Sequence, residues 1–104
     1  MLKLAAESYF EAFKIAMNFL NPCNATRLSI AQNYTVFLVE SSNKDYSKAI
    51  MLSRITMELA QTVIDNCAEG ESNHTREELD LLESIQYNID LWTAEEERIA
   101  AAAL

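Results

Sequence analysis

Apolar positions recur along this chain at helical intervals. Ala6, Tyr9, Phe10, Phe13, Ala16, Met17 and Leu20 are separated by three residues or one, which puts them on one stripe of a helix. This predicts a first helix over about residues 2–20, stopped at Asn21-Pro22 because proline disfavours helical geometry in the residue before it. A second helix is expected from about 24 to 41. Between Arg27 and Glu40 its apolar residues cover more than half the circumference, the pattern of a helix buried on two sides. Ser41-Ser42-Asn43 breaks it, and Asn43 is the expected N-cap of a third helix over about 44–68. The buried face predicted for that helix carries Leu52, Ile55, Leu59, Val63 and Cys67.

Gly70 and the polar stretch Glu71–His74 form the next joint. Thr75 and Glu78 have the spacing of a capping box, so a fourth helix should start at about 75 and run to 93 or beyond. Leu82, Ile85, Ile89 and Trp92 give it a core stripe, while Leu81, Ser84, Asn88 and Leu91 lie on an adjacent stripe mixing apolar and amide groups. Residues 94–104 are strong helix formers with little beyond Ile99 and Leu104 to pack, so they either extend this helix or trail from it. Short joints favour antiparallel neighbours. The expected fold is therefore all-α, an antiparallel array of four helices forming a single domain over 1–104.

Composition narrows the class further. A single Gly (Gly70) and a single Pro (Pro22) in 104 residues exclude turn-rich sandwiches and barrels, and length excludes a second core. Eight Lys and Arg against sixteen Asp and Glu leave a net charge of -8, so nucleic acid is not an expected partner. Residues 58–104 carry only Arg76 and Arg98 against twelve acids, which makes the second half the acidic one. No apolar run reaches the roughly 18 residues of a membrane span, so no membrane association is expected. Cys23 and Cys67 read as free thiols of a reducing compartment, and a cytoplasmic location is the expectation. Sequons at Asn24, Asn33 and Asn73 weigh little without a signal peptide.

Catalytic chemistry finds no foothold. The only histidine, His74, stands three residues after Glu71, the spacing used by di-iron bundles, but those sites need a second copy and further inward glutamates. Cys23, Cys67 and His74 lack the close spacing of structural zinc ligands. No Ser-His-Asp set or glycine-rich phosphate loop is present, so the chain is not expected to be an enzyme or to hold a cofactor or metal. Arg27, without a second base near it, reads as an ion-pair partner of a carboxylate rather than a phosphate ligand. Met51, Met57, Phe13 and Tyr34 read as packing residues, and Glu95-Glu96-Glu97 as solvated helix surface.

One segment is more specific. Arg27-Leu-Ser-Ile-Ala-Gln-Asn-Tyr-Thr-Val-Phe37, ending in Glu40, resembles the RLGLALNFSVF...E segment of the 14-3-3 proteins. Gln86-Tyr-Asn-Ile-Asp-Leu-Trp-Thr93 is similar to the family's RDNLTLWT, and Tyr9-Phe-Glu-Ala-Phe-Lys-Ile15 to its AY-x-x-AF-x-I stretch. The resemblance covers residues 6 to 93 and implies the last four of the nine helices that such proteins possess. These are phosphoserine and phosphothreonine binding adaptors of signalling, whose subunits form a concave groove and dimerise through N-terminal helices. Their phosphate-holding lysine, arginines and tyrosine sit on earlier helices, with no counterpart in these residues.

The resemblance implies that this chain supplies the opposite wall of such a groove. Asn33 and Asn88 match the asparagines that hydrogen-bond a bound peptide's main chain, and an amide offers the donor and acceptor that an extended backbone needs. Val36, Leu81 and Leu91 match apolar wall positions, and Glu40 and Trp92 match residues of the same wall. Gln32, Asp80 and Ser84 are polar where the family has leucine, which lessens apolar burial. The implied partners are phosphorylated protein segments, with a homodimer or heterodimer where N-terminal helices are present. Two alternatives stand beside this: a truncated relative that binds unmodified segments or itself, and a small metal-dependent helical bundle.

Overall fold

A computed structural model of the chain describes residues 2–41, 44–66 and 76–103. Four helices account for nearly all of them: α1 (Leu2–Phe19), α2 (Ala25–Glu40), α3 (Tyr46–Asn66) and α4 (Arg76–Ala102), with no strand among the described residues. The array is a slab of 50 × 32 × 18 Å. The all-α expectation holds, and the helix ends show which local interactions set them.

At the first joint, the Asn21 side-chain carbonyl accepts from the Cys23 amide (2.9 Å) and its backbone carbonyl from the Asn24 amide (2.8 Å). Asn24 then caps α2 by accepting from the amides of Thr26 (2.9 Å) and Arg27 (3.2 Å), two donors that the first helical turn leaves unpaired. The start of α3 lies two residues later than the expected 44. Asp45 caps it by accepting from the Lys48 amide (3.1 Å), and α3 begins at Tyr46. Lys44 cannot begin the helix because its φ of 42° lies in the left-handed region. The cap expected at Asn43, the Thr75 half of the capping box, and the readings on Cys67, Gly70, Glu71, Asn73 and His74 lie outside the described residues.

Successive helices run antiparallel. Tyr9 stacks on Phe37, and Phe13 meets Tyr34 with ring centres 5.4 Å apart, so advance along α1 retreats along α2. The Cys23 thiol, just before α2, donates to the Ala60 carbonyl late in α3 (3.3 Å). Ser47, early in α3, donates to Glu96, late in α4 (2.6 Å). Because α3 lies antiparallel to both neighbours, α2 and α4 run parallel where Leu28 meets Ile85 and Ile89.

The buried stripe of α3 is not the one its large apolar residues predict. Ala49, Ile50, Ser53, Thr56 and Ala60 are buried, whereas Ile55 and Leu59 remain 37% and 38% exposed and Met51 is exposed too. Apart from Ile50, which packs with Trp92, the inner face is made of small side chains that let the backbones of α2 and α4 approach closely. Thr56 meets its polar need by donating to the Leu52 carbonyl (2.8 Å), which makes an inward hydroxyl tolerable. Thr35 of α2, equally buried, does the same toward Ala31 (3.0 Å).

Residues after Thr93 extend α4 to Ala102. The Arg98 guanidinium donates to the Glu95 carboxylate (3.1 Å from Nε), and this hydrogen bond is the chief reason the Glu95 pKa falls below its ordinary value. A depressed folded-state pKa stabilises the folded form above the usual carboxylate range, and that contribution is lost as pH falls through the folded value. Acidification from about pH 6 to about pH 3 is expected to lower the amide protection factors over residues 95–102, taken relative to the intrinsic exchange rate at each pH, and Arg98→Gln should remove part of that pH response. Unchanged protection factors across that interval would show that the pair does not hold the last turns.

Candidate peptide-binding face

Asn33, Val36 and Glu40 stand at i, i+3 and i+7 on α2, and Leu81, Ser84, Asn88 and Leu91 at i, i+3, i+7 and i+10 on α4. These spacings make one stripe on each helix. Thr35, two residues and so about 160° around α2 from Asn33, is buried. Asp90 bears the same relation to Asn88 and lines the cleft between α4 and α3. Asn33 thus lies roughly opposite a buried position of its own helix, and Asn88 roughly opposite the α3-facing cleft of α4.

Their environments suit a contact surface. Asn33 and Glu40 are exposed, Asn88 is half-buried, and no hydrogen bond joins either amide to another described residue. Leu91 is 50% exposed, whereas Leu81 is half-buried and packs against the Leu28, Ile85 and Ile89 cluster. Val36 packs against the cluster of Ala49, Ile50 and Trp92. Leu81 and Val36 are thus held from behind, which limits the rotamer freedom lost when a ligand covers them.

Trp92 is placed differently from the rest. Its ring is only 6% exposed and sits against α3, so it supports the face from beneath Val36 and offers little surface of its own. Of the polar departures, Gln32 is half-buried and Ser84 exposed, while the exposed Asp80 carboxylate is engaged by Arg76 (3.3 Å). Two clefts of about 500 and 430 Å³ open between α4 and α3, on the flank of α4 that carries Asp90.

Arg27 has a role that the sequence does not reveal. It is buried, and its Nη1 donates to the carbonyls of Leu20 (2.8 Å) and Met17 (3.3 Å) at the end of α1. The expected carboxylate partner is replaced by the carbonyl end of a helix, where unpaired acceptors and the helix dipole both favour a cation. Burial pushes the Arg27 pKa below its ordinary value, and interaction with Cys23 partly opposes this. Its Nη2 lies 3.1 Å from the Met17 sulfur, and its buried Nε has no hydrogen-bond partner. Arg27 is thereby committed to the joint between α1 and α2.

Cys23 is a buried thiol bonded to a backbone carbonyl, and the described residues contain no group of three side chains suited to a metal ion. No described helix is long and apolar enough to cross a membrane.

The fold is an all-α helical array in which α2 and α4 each carry a stripe that bears an asparagine beside apolar residues. A family model described as 14-3-3 protein matches residues 1–93. The chain belongs to the 14-3-3 family. It is 36% identical over 95 residues to a 14-3-3 protein homolog of Encephalitozoon cuniculi (strain GB-M1), covering 91% of this chain and 35% of that protein. It is also 30% identical over 95 residues to the 14-3-3-like protein 2 of Caenorhabditis elegans, covering 91% of this chain and 37% of that protein. The chain thus spans about a third of the length of these relatives.

Proposed function

We propose that these residues are the C-terminal helices of a 14-3-3-type adaptor and form one wall of a groove for an extended phosphoserine- or phosphothreonine-bearing segment. The observation that supports the reading is that Asn33 is exposed and Asn88 half-buried, each on a stripe with apolar residues and without hydrogen-bond partners among the described residues. An extended strand presents unpaired amides and carbonyls, and each asparagine can give and accept one bond. Val36, Leu81 and Leu91 would cover apolar side chains of the ligand, with Glu40 at the polar margin and Trp92 holding the face from behind. No bond is made or broken in such a role, and the consequence for the partner is a held or occluded conformation.

The stripes Asn33–Val36–Glu40 and Leu81–Ser84–Asn88–Leu91 carry no lysine or arginine, so the charges that hold phosphate must come from residues outside these stripes. In the intact protein, Asn88→Ala is expected to weaken a phosphopeptide about tenfold by calorimetry, the loss of one or two hydrogen bonds to a ligand backbone. Affinity unchanged by this substitution removes Asn88 from the site. The same feature gives substance to a second reading, in which a truncated relative binds unmodified segments. Equal affinity for phosphorylated and unmodified forms of one peptide would select it.

A further inference from the structure

We propose that the groove between α3 and α4, on the flank of α4 opposite the amide face, is a second docking surface for a basic amphipathic helix of a partner protein. Two clefts of about 500 and 430 Å³ adjoin at Met57 and Gln86, which line both, and follow one groove between the helices. Its α4 wall extends from Leu79 to Glu97, about 27 Å at 1.5 Å per residue, and its α3 wall from Arg54 to Ile64, about 15 Å, a span of roughly three to five helical turns. Met57, Ile64, Leu82 and Ile89 provide an apolar floor, and Leu79 stands exposed beside it.

The rim identifies the occupant. Glu58, Asp80, Glu83, Asp90 and Glu97 line the channel against only Arg54 and Arg76, and Arg76 is already paired with Asp80. An apolar floor between acidic edges suits a helix whose apolar stripe, with residues three and four apart, is flanked by lysine or arginine. A second copy of this chain is disfavoured, since a net charge of -8 on each copy brings like charges together. The surface is separate from the proposed phosphopeptide wall because Asp90 and Asn88 point to opposite flanks of α4.

The test uses the purified chain and a fluorescein-labelled helix-forming peptide of about 18 residues, with a leucine stripe flanked by lysines, read by anisotropy. A matched peptide carries glutamate in place of lysine. The lysine peptide should bind, and added salt should weaken it. Glu83→Lys combined with Asp90→Lys should weaken it at least about tenfold, and Leu79→Ser by several-fold, while Asn33→Ala leaves it unchanged. Both charged positions are exposed, and circular dichroism checks that the variants keep their helices. If the reversed pair does not fold, Glu83→Gln with Asp90→Asn serves, with a smaller loss expected. Failure of the lysine peptide to bind at about 100 µM overturns the proposal. So does equal binding of the glutamate peptide, or self-association of the chain, seen by sedimentation, that Leu79→Ser abolishes. Phosphopeptide affinity is a separate readout, so either surface can fail without the other.

Discussion

Leu28→Ala is expected to lower the stability of the fold by about 3–5 kcal/mol, the range for deleting a large aliphatic side chain from a site that cannot collapse. Leu28 has no solvent exposure and meets Ile85 and Ile89 where α2 and α4 converge, with Met57 of α3 packed against the same cluster. Three helices therefore border the space that alanine would leave, and none can fill it without moving relative to the other two. A domain of this size is stabilised by about 5–15 kcal/mol in total, so the variant loses a large share of its margin. Urea unfolding followed through Trp92, the single tryptophan and a buried one, measures the shift directly. Leu91→Ala, at a half-exposed position, should cost less than about 1 kcal/mol in the same assay. A loss below about 1 kcal/mol for Leu28→Ala contradicts the convergence of α2, α3 and α4 on this residue.

Arg27→Ala should cost about 2–4 kcal/mol, although no carboxylate partner is lost. The substitution strips the Leu20 and Met17 carbonyls of their donor at the end of α1 and opens a space beside Met17. Arg27→Lys keeps the charge but loses the planar fork, so it should recover only part of the stability. If the residue instead acted as a phosphate ligand, its loss would lower phosphopeptide affinity while leaving the urea midpoint unchanged. The geometry predicts the reverse order of effects, and measuring both quantities on the same variant separates them. Only tertiary contact shows this assignment, since the carbonyls that Arg27 reaches belong to a helix that ends before α2 begins.

Much of the secondary structure is legible because helices are decided locally. The α1 stripe, the Asn24 cap and the break at Asn21-Pro22 each depend on residues within one or two turns, and they lie where the structure places them. The core stripe of α4 is legible for the same reason, as Ile85, Ile89 and Trp92 are buried and Leu82 is half-buried against the same cluster as Ile85 and Ile89. In α3 the reasoning from large apolar residues misleads. Periodicity marks a helix, but it does not distinguish a stripe of Ile55 and Leu59 from the neighbouring stripe of Ala49, Ser53, Thr56 and Ala60. The choice falls mainly to small residues, with Ile50 beside them against Trp92, because α3 packs a helix on each side. The start of α3 escapes for a different reason, since a positive φ at Lys44 depends on how the chain turns back after α2.

The sequence by itself determined four helices, an acidic second half and two asparagine-bearing stripes, because spacing, charge and capping are properties of neighbouring residues. Only the tertiary structure decided that Asn33 stays exposed while Asn88 is half-buried, that Trp92 is buried against α3 beside Val36, and that acid-lined clefts open between α4 and α3. The difference has one physical origin. A helix's stripes are set by its own residues, but which of them meets solvent depends on where the other helices pack.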